Sequence, residues 1–260
     1  MRTRILCFIF ACAVFQSFAI CLPFLPQKQF VIVLDAGHGG KDAGAIGSQQ
    51  TNMEKDINLA ITLEVGRLLQ ANQPNIKVIY TRKNDVFVEL GQRARIANNA
   101  KADLFVSIHT NAIDKDPARQ PVGVQTYTLS LNTLNTNLEV EKRENSVIKY
   151  EKDGERKYHY SQLPENDIMF ELMQDRDMKE SVRFAKMTQK QMVNYAGRKD
   201  MGVRQANLLV LRQTYMPSVL IEVGFISTES EESFLMSKDG RNKMAMAIYK
   251  AIVEYYKSVK

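Results

Sequence analysis

The 260-residue chain has no tryptophan, and only three cysteines and three histidines. That rules out a disulfide-rich scaffold and a four-cysteine zinc module. Two of the cysteines, Cys7 and Cys12, fall in an N-terminal segment read below as removable. Only Cys21 would then remain, and no internal disulfide could form. Seven prolines and 13 glycines are too few for a Pro/Gly-rich disordered chain. After the N-terminus, no apolar run has the roughly 20 residues that a membrane helix needs. The formal charge is only +6, from 35 basic and 29 acidic residues. There is no zinc-finger, RNA-recognition or helix-turn-helix pattern. The excess is too small to argue for nucleic acid, and it suits a polyanionic surface instead.

What is present is ordinary for a soluble globular protein: 45% hydrophobic and 25% charged residues. A chain of this length can bury a sizeable core without disulfide staples. The first 19 residues form a separate object. Arg2 and Arg4 precede an apolar run from Ile5 to Phe15, followed by the small residues Ser17 and Ala19. This is the order of a secretory signal, with cleavage expected after Ala19. An uncleaved anchor is one alternative. A lipoprotein acylated at Cys21 is another, although Ile20 fits a lipobox poorly. Residues 20–29 read as a short Pro-containing leader, and residues 30–260 as the folded domain.

In that domain, strand and helix signals alternate. "FVIVLD" is a strand that runs into glycines. "EKDINLAITLEVGRLLQ" carries Ile57, Ile61, Val65 and Leu68 on one helical stripe. "IKVIYTR" reads as a strand, "LGQRARIANNA" as a short helix, and "LFVSIH" and "VGVQTYTL" as strands. "NLLVLR" and "SVLIEV" also read as strands. A last helix from about Arg241 to Lys257 carries Met244, Ile248, Ile252 and Tyr255 on one stripe. The alternation predicts a single α/β domain: a central, mostly parallel or mixed sheet with helices on both faces. There is no internal repeat and no second core. One charged stretch, about 131–180, breaks the rhythm between the strand at Val124 and a helix expected over Ser181 to Tyr195. Long excursions of this kind in compact domains are functional or mobile, or are simply solvated surface.

Three side chains that can bind metal or carry protons sit at strand ends. His38 follows the first strand, His109 ends "LFVSIH" and Glu222 ends "PSVLIEV". In open α/β sheets, sites form beyond the carboxyl ends of the strands. A lone histidine is more often structural, but two of three at equivalent ends are harder to dismiss. A carboxylate following "SVLI" is costly unless it is paired, protonated or working, or lies at an exposed edge. His159, in the charged stretch, reads as a surface residue. Arg82 and Arg93 read as surface or helix-packing residues. A catalytic zinc usually takes three protein ligands, and Glu54, at the start of a helix, is the candidate third. It has a rival role, because "TNME" over Thr51 to Glu54 matches a capping box. The local pattern favours the cap.

Taken in order, "LDAGHGGKDAGAIG", "EKDINLAITLEVGRLL", "YTRKND…GQRARIANNAKADLFVSIHTNA" and "PSVLIEVGFIS" resemble the zinc-dependent N-acetylmuramoyl-L-alanine amidases that cut peptidoglycan during cell separation. The resemblance runs from about Val31 to the C-terminal helix, and it is specific through the combination and order of the motifs. It implies one zinc ion bound by His38, Glu54 and His109, with Glu222 catalytic. Val223 stands where many relatives have threonine, which leaves the ligand count unchanged. The implied chemistry is zinc-assisted hydrolysis of the bond between N-acetylmuramic acid and L-alanine, by a protein exported to the periplasm or facing the wall. Another zinc peptidoglycan hydrolase or deacetylase, and a silent wall-binding scaffold, are the competing readings. Relatives in the cell-separation group carry an insertion whose helix covers the zinc and is displaced by an activator protein. Here "LEVEKRENSVIKYE", Leu138 to Glu151, would supply that helix, and Glu144, in preference to Glu141, the blocking carboxylate.

Overall fold

The computed structural model describes residues 29–113, 120–130, 137–154 and 168–260, with the backbone alone for 168–175. The expected signal segment, the leader up to residue 28, and His159 lie outside these residues. Among the described residues, six strands form one sheet in the order β2-β1-β3-β6-β4-β5. The strands are β1 (Phe30–Ala36), β2 (Ile76–Tyr80), β3 (Leu104–Asn111), β4 (Val124–Leu129), β5 (Asp200–Ala206) and β6 (Ser218–Phe225). All neighbours run parallel except β4 and β6. The sheet is therefore mixed and mostly parallel. β3 and β6 are buried at every position, which is why both carry short apolar runs, Leu104 to Val106 and Val219 to Ile221.

Among the described residues there are seven helices: α1 (Glu54–Asn72), α2 (Leu90–Asn99), α3 (Leu138–Asn145), α4 (Ile168–Asn194), α5 (Leu209–Arg212), α6 (Glu229–Met236) and α7 (Lys238–Ser258). Strand alternation sends Ile32, Leu34, Leu104, Val106, Ile108, Val219 and Ile221 to one face. There they pack on Ile57, Ile61 and Val65 of α1, Phe184 and Met192 of α4, and Met244, Ile248 and Ile252 of α7. Val33, Phe105, Tyr127 and Leu220 point to the other face, beneath α2, α5 and the Val140–Val147 segment. Helices thus lie on both faces, as the alternation of elements predicts.

Two expectations need correction. "NLLVLR" is not a strand: Leu208 leads into the short helix α5, and Leu208, Leu209, Val210 and Leu211 are all buried against the second face. Periodicity cannot separate a short buried helix from a buried strand. The real strand β5 comes just before it and is largely exposed, so its sequence "DMGVRQA" shows no apolar run. The helix expected from Ser181 begins at Ile168. The C-terminal part of the charged stretch 131–180 therefore belongs to α4.

On the second face, the residues one pleat beyond the apolar set are polar. Asp35 follows Val33, Ser107 and His109 follow Phe105, and Glu222 follows Leu220. In register, Asp35 lies beside Ser107, and Glu222 lies between His109 and Gln125. The core therefore grades into a polar floor at the carboxyl ends of β1, β3 and β6, and α3 lies over that floor.

Candidate metal centre

β1 ends in a turn that few sequences could make. Gly37 donates its N–H to Ile108 O at 3.0 Å. The next three residues all have positive φ: His38 at 60°, Gly39 at 127° and Gly40 at 57°. A Cβ on Gly37 would collide with the His109 ring, and one on Gly44 with His38 and Glu54. Glycine at these two positions lets the backbone pass close to the cluster it supports.

His38 is buried. Its Nδ1 lies 2.7 Å from Asp42 Oδ2, a contact that places the ring proton on Nδ1 and leaves the Nε2 lone pair free. Nε2 lies 3.2 Å from Glu54 Oε1 and 3.3 Å from Glu144 Oε2. His109 Nδ1 lies 3.2 Å from the same Glu54 oxygen and 2.7 Å from Glu144 Oε2. The two rings meet edge to face with centroids 4.8 Å apart.

Glu54 does not form the capping box. Met53 is the N-cap of α1 and makes no side-chain cap bond. Glu54 turns inward, fully buried. Its carboxylate accepts N–H groups from Thr110 and Ala45, both at 2.9 Å, and from Asn58 Nδ2 at 3.1 Å. Three donors fix its direction, and one oxygen still faces both histidines.

These four groups sit close together without bonding one another. The ligand atoms of His38, Glu54, His109 and Glu144 lie within 4.8 Å of each other, and all four residues are buried. Yet His38 Nε2, His109 Nδ1 and Glu144 Oε2 have no hydrogen-bond partner. The approaches are short, but their geometry is not that of hydrogen bonds. Zinc bonds of about 2.0–2.2 Å to nitrogen and oxygen put tetrahedral neighbours about 3.3 Å apart, close to the separations here.

Charge supports the same fit. Burial works against a charged imidazole, but Glu54, Asp42 and Glu144 hold His38 well above its ordinary pKa. Burial also opposes His109, and Glu144 with Glu54 lifts it to about 9. Burial raises Glu54 and Glu144, and the histidines, with Arg143 at Glu144, drive both well below the carboxylate range. Two buried carboxylates demand positive charge between them. A divalent cation meets that demand with both imidazoles neutral.

Glu222 is buried and adjoins His109 in register. Burial pushes its carboxyl up to about 8. Arg143 works against that shift, and Glu144 and Glu54 add to it. Its Oε2 has no hydrogen-bond partner. Its Oε1 accepts from Arg143 Nη2 at 2.9 Å. Arg143 also donates to Asn111 Oδ1 at 2.7 Å, Ala112 O at 2.6 Å and Glu144 Oε1 at 2.7 Å. Adjacent residues of α3 therefore reach the cluster and Glu222. Glu141 does not take part: it accepts the Asn207 N–H at 2.6 Å. With α3 in place, the space at the histidines is only about 10 Å³, whereas a cavity of about 590 Å³ opens beside α3, between Asn111, Tyr127, Leu138, Arg143 and Arg204.

Residue patterns did not reveal Asp42, Asn58 or Arg143, which orient or engage the site. Asp42 sits four residues after His38, a spacing that could have pointed to it. Arg82 and Arg93 are not surface residues. They are 3% and 2% exposed, and their guanidinium groups lie beneath the His38 turn.

A family model described as N-acetylmuramoyl-L-alanine amidase matches residues 32–254. The chain belongs to that family. The match takes in all but the first two residues of β1, the other five strands, and every residue of the cluster. The amidase AmiC of Escherichia coli O6:H1 is 31% identical over 235 residues, which are 88% of this chain but 54% of AmiC. The chain thus spans about half the length of that relative. Among solved structures, the catalytic domain of the amidase CwlV from Bacillus (Paenibacillus) polymyxa is 33% identical, with a TM-score of 0.65 over 88% of this chain and 99% of that one. The CwlD amidase of Clostridioides difficile, solved in complex with the GerS lipoprotein, is 27% identical, with a TM-score of 0.66 over 89% of this chain and 100% of that one. Among the described residues, no helix is long and apolar enough to cross a membrane.

Proposed function

We propose that the protein is an exported, zinc-dependent N-acetylmuramoyl-L-alanine amidase of peptidoglycan that α3 holds inactive. The observation that carries this reading is the set of buried, unbonded donor atoms converging from His38, Glu54, His109 and Glu144. Membership of the amidase family supplies the bond to be cut. His38, Glu54 and His109 are the three resident ligands. Bound zinc would polarise both the attacking water and the lactyl carbonyl. Glu222 takes a proton from the water as its oxygen bonds to the carbonyl carbon. It returns that proton to the alanine nitrogen as the C–N bond breaks. The products are a glycan strand with a free lactyl carboxylate and a stem peptide with a free amine.

The resting state is blocked twice. Glu144 Oε2, 2.7 Å from His109, would take the place of the attacking water at a bound ion, and Arg143 holds one of the two Glu222 oxygens. An activator protein that binds the open form would draw α3 away. That the structural neighbour CwlD is solved in complex with the GerS lipoprotein supports a protein partner for this chain. Export rests on the signal pattern of residues 1–19, and the mild positive charge suits the wall.

The test uses the chain from residue 20 onward, purified and assayed for metal, then incubated with isolated sacculi whose products are read by mass spectrometry. One zinc per chain is expected, with stem peptides bearing a free L-alanine amine released once α3 is opened by substitution at Glu144. Deacetylated glycan with its peptides retained would assign the site to a deacetylase. Bound zinc with no cleavage, even after α3 is opened by substitution at Glu144, would leave a wall-binding scaffold.

A further inference from the structure

His38 has a left-handed backbone, φ 60°, which a residue with a Cβ adopts only when its surroundings hold it there. The Asp42 side chain fixes the rotation of the ring, and its backbone bridges Gly39 at 2.9 and 3.1 Å. The rest of the hold on the backbone comes from beneath it. Arg82 donates from Nε to Ala36 O at 2.9 Å and from Nη2 to Gly37 O at 2.8 Å. Arg93 donates from Nη1 to Ala36 O at 2.8 Å and from Nη2 to His38 O at 2.9 Å. Three successive carbonyls of the turn thus point inward onto two guanidinium groups. Both forks are themselves anchored. Arg93 pairs with buried Asp35 at 2.8 Å, and Asp35 also accepts from Thr81 and Ser107. Nη2 of Arg82 also donates to Lys55 O at 2.8 Å, in the first turn of α1 beside Glu54. One guanidinium therefore ties the backbone next to His38 to the backbone next to Glu54.

We propose that Arg82 and Arg93 are positioning residues for the metal centre: a pair of planar forks that lock the His38 turn and set its distance from Glu54. The inference rests on the metal reading given above. The forks aim His38 Nε2 by fixing the backbone from which it projects. Arg82 also makes the separation of two ligands independent of local movement in either segment. Arginine is required because each group must serve several carbonyls at fixed angles. A lysine of equal charge supplies a point donor and no fork.

The test compares Arg82→Lys and Arg93→Lys with wild type, and with Met192→Ala, a buried site on the opposite face that lowers stability without touching the turn. Zinc affinity is measured by competition with a chromophoric chelator. The cobalt-substituted proteins are compared by visible absorption, which reports coordination geometry. Each lysine variant is expected to bind zinc about 10–100-fold more weakly, the range for groups that orient a ligand, and to show an altered cobalt spectrum. Met192→Ala should keep both wild-type values per folded molecule. Asp35→Asn is the second route: it releases the Arg93 fork without removing it and should weaken zinc binding in the same direction. Wild-type affinity and spectrum in the folded variants would overturn the proposal. So would metal loss only in proportion to unfolded protein, which would make both arginines structural. A wild-type chain that takes up neither zinc nor cobalt would overturn the metal reading itself, and the clamp with it.

Discussion

The groups around the centre come from two regions built differently. His38, Glu54 and His109 belong to β1, α1 and β3. They are held from several sides: three donors on the Glu54 carboxylate, two guanidinium groups under the His38 turn, and a fully buried strand for His109. Arg143 and Glu144 lie on α3, eight residues long, with Leu138 58% exposed. A helix of that length has no stability of its own. Val140 is its buried apolar contact, and Asn145 and Glu141 tie it to the segment between β5 and α5. Much of what holds α3 is therefore its polar grip on the site. One region is held from several sides, and the other is held in part by the groups it covers. On the proposed reading, this clasp opens without disturbing the core.

The largest effect should come from breaking the fixed region. His109→Ala removes one of the three proposed ligands. We expect bound metal and peptide release from sacculi to fall to background together. Metal analysis at full zinc occupancy in this variant would remove His109 from the ligand set. Next in size is Glu222→Gln, which keeps the side chain's volume and removes its basicity. Zinc should stay at one per chain, while turnover falls by about 10²–10⁴-fold, the usual worth of a general acid–base group. Near-normal turnover would mean that another group moves the proton.

The third test addresses the inserted region and should act in the opposite direction. Glu144→Ala removes the proposed blocking carboxylate and leaves the fixed region intact. Activity without any partner should rise by about tenfold or more, the ratio that roughly 1.4 kcal/mol of preference for the closed form sets. A wild type already as fast as the variant would show that α3 is no block. The point substitution is cleaner than deleting residues 138–151. Val147 is buried in the core, and Glu151 accepts the Leu90 N–H at the start of α2 at 2.7 Å.

The contrast also marks how far the sequence can be read. β1, β3 and β6 were legible because full burial demands apolar runs, and the site residues at their ends stand out against those runs. β5 was not, because an edge strand need bury little, and the apolar run after it is a short helix. Glu54 was ambiguous for a physical reason: a first-turn glutamate suits both a cap and an inward ligand, and only tertiary placement of the donors on it separates the two. Arg82 and Arg93 act on backbone carbonyls, which carry no residue signature, so their burial could not be read from the sequence. Glu141 and Glu144 are three residues apart on one short helix. Local pattern could not establish which of them faces His38 and His109.

The smallest effect, and the sharpest use of the comparison, is Arg143→Met. The substitution keeps the length of the side chain and removes its bonds to Glu222, Asn111, Ala112 and Glu144. Glu222 is then free, but the proposed blocking carboxylate of Glu144 remains. Activity should rise only a few-fold, less than in Glu144→Ala. Because the two residues share one helix and one grip, the double variant should gain less than the product of the single effects. The assay is peptide release from sacculi at matched zinc loading. A fall in activity in Arg143→Met would mean that Arg143 also serves the open enzyme, and α3 would then be part of the working site as well as its cover.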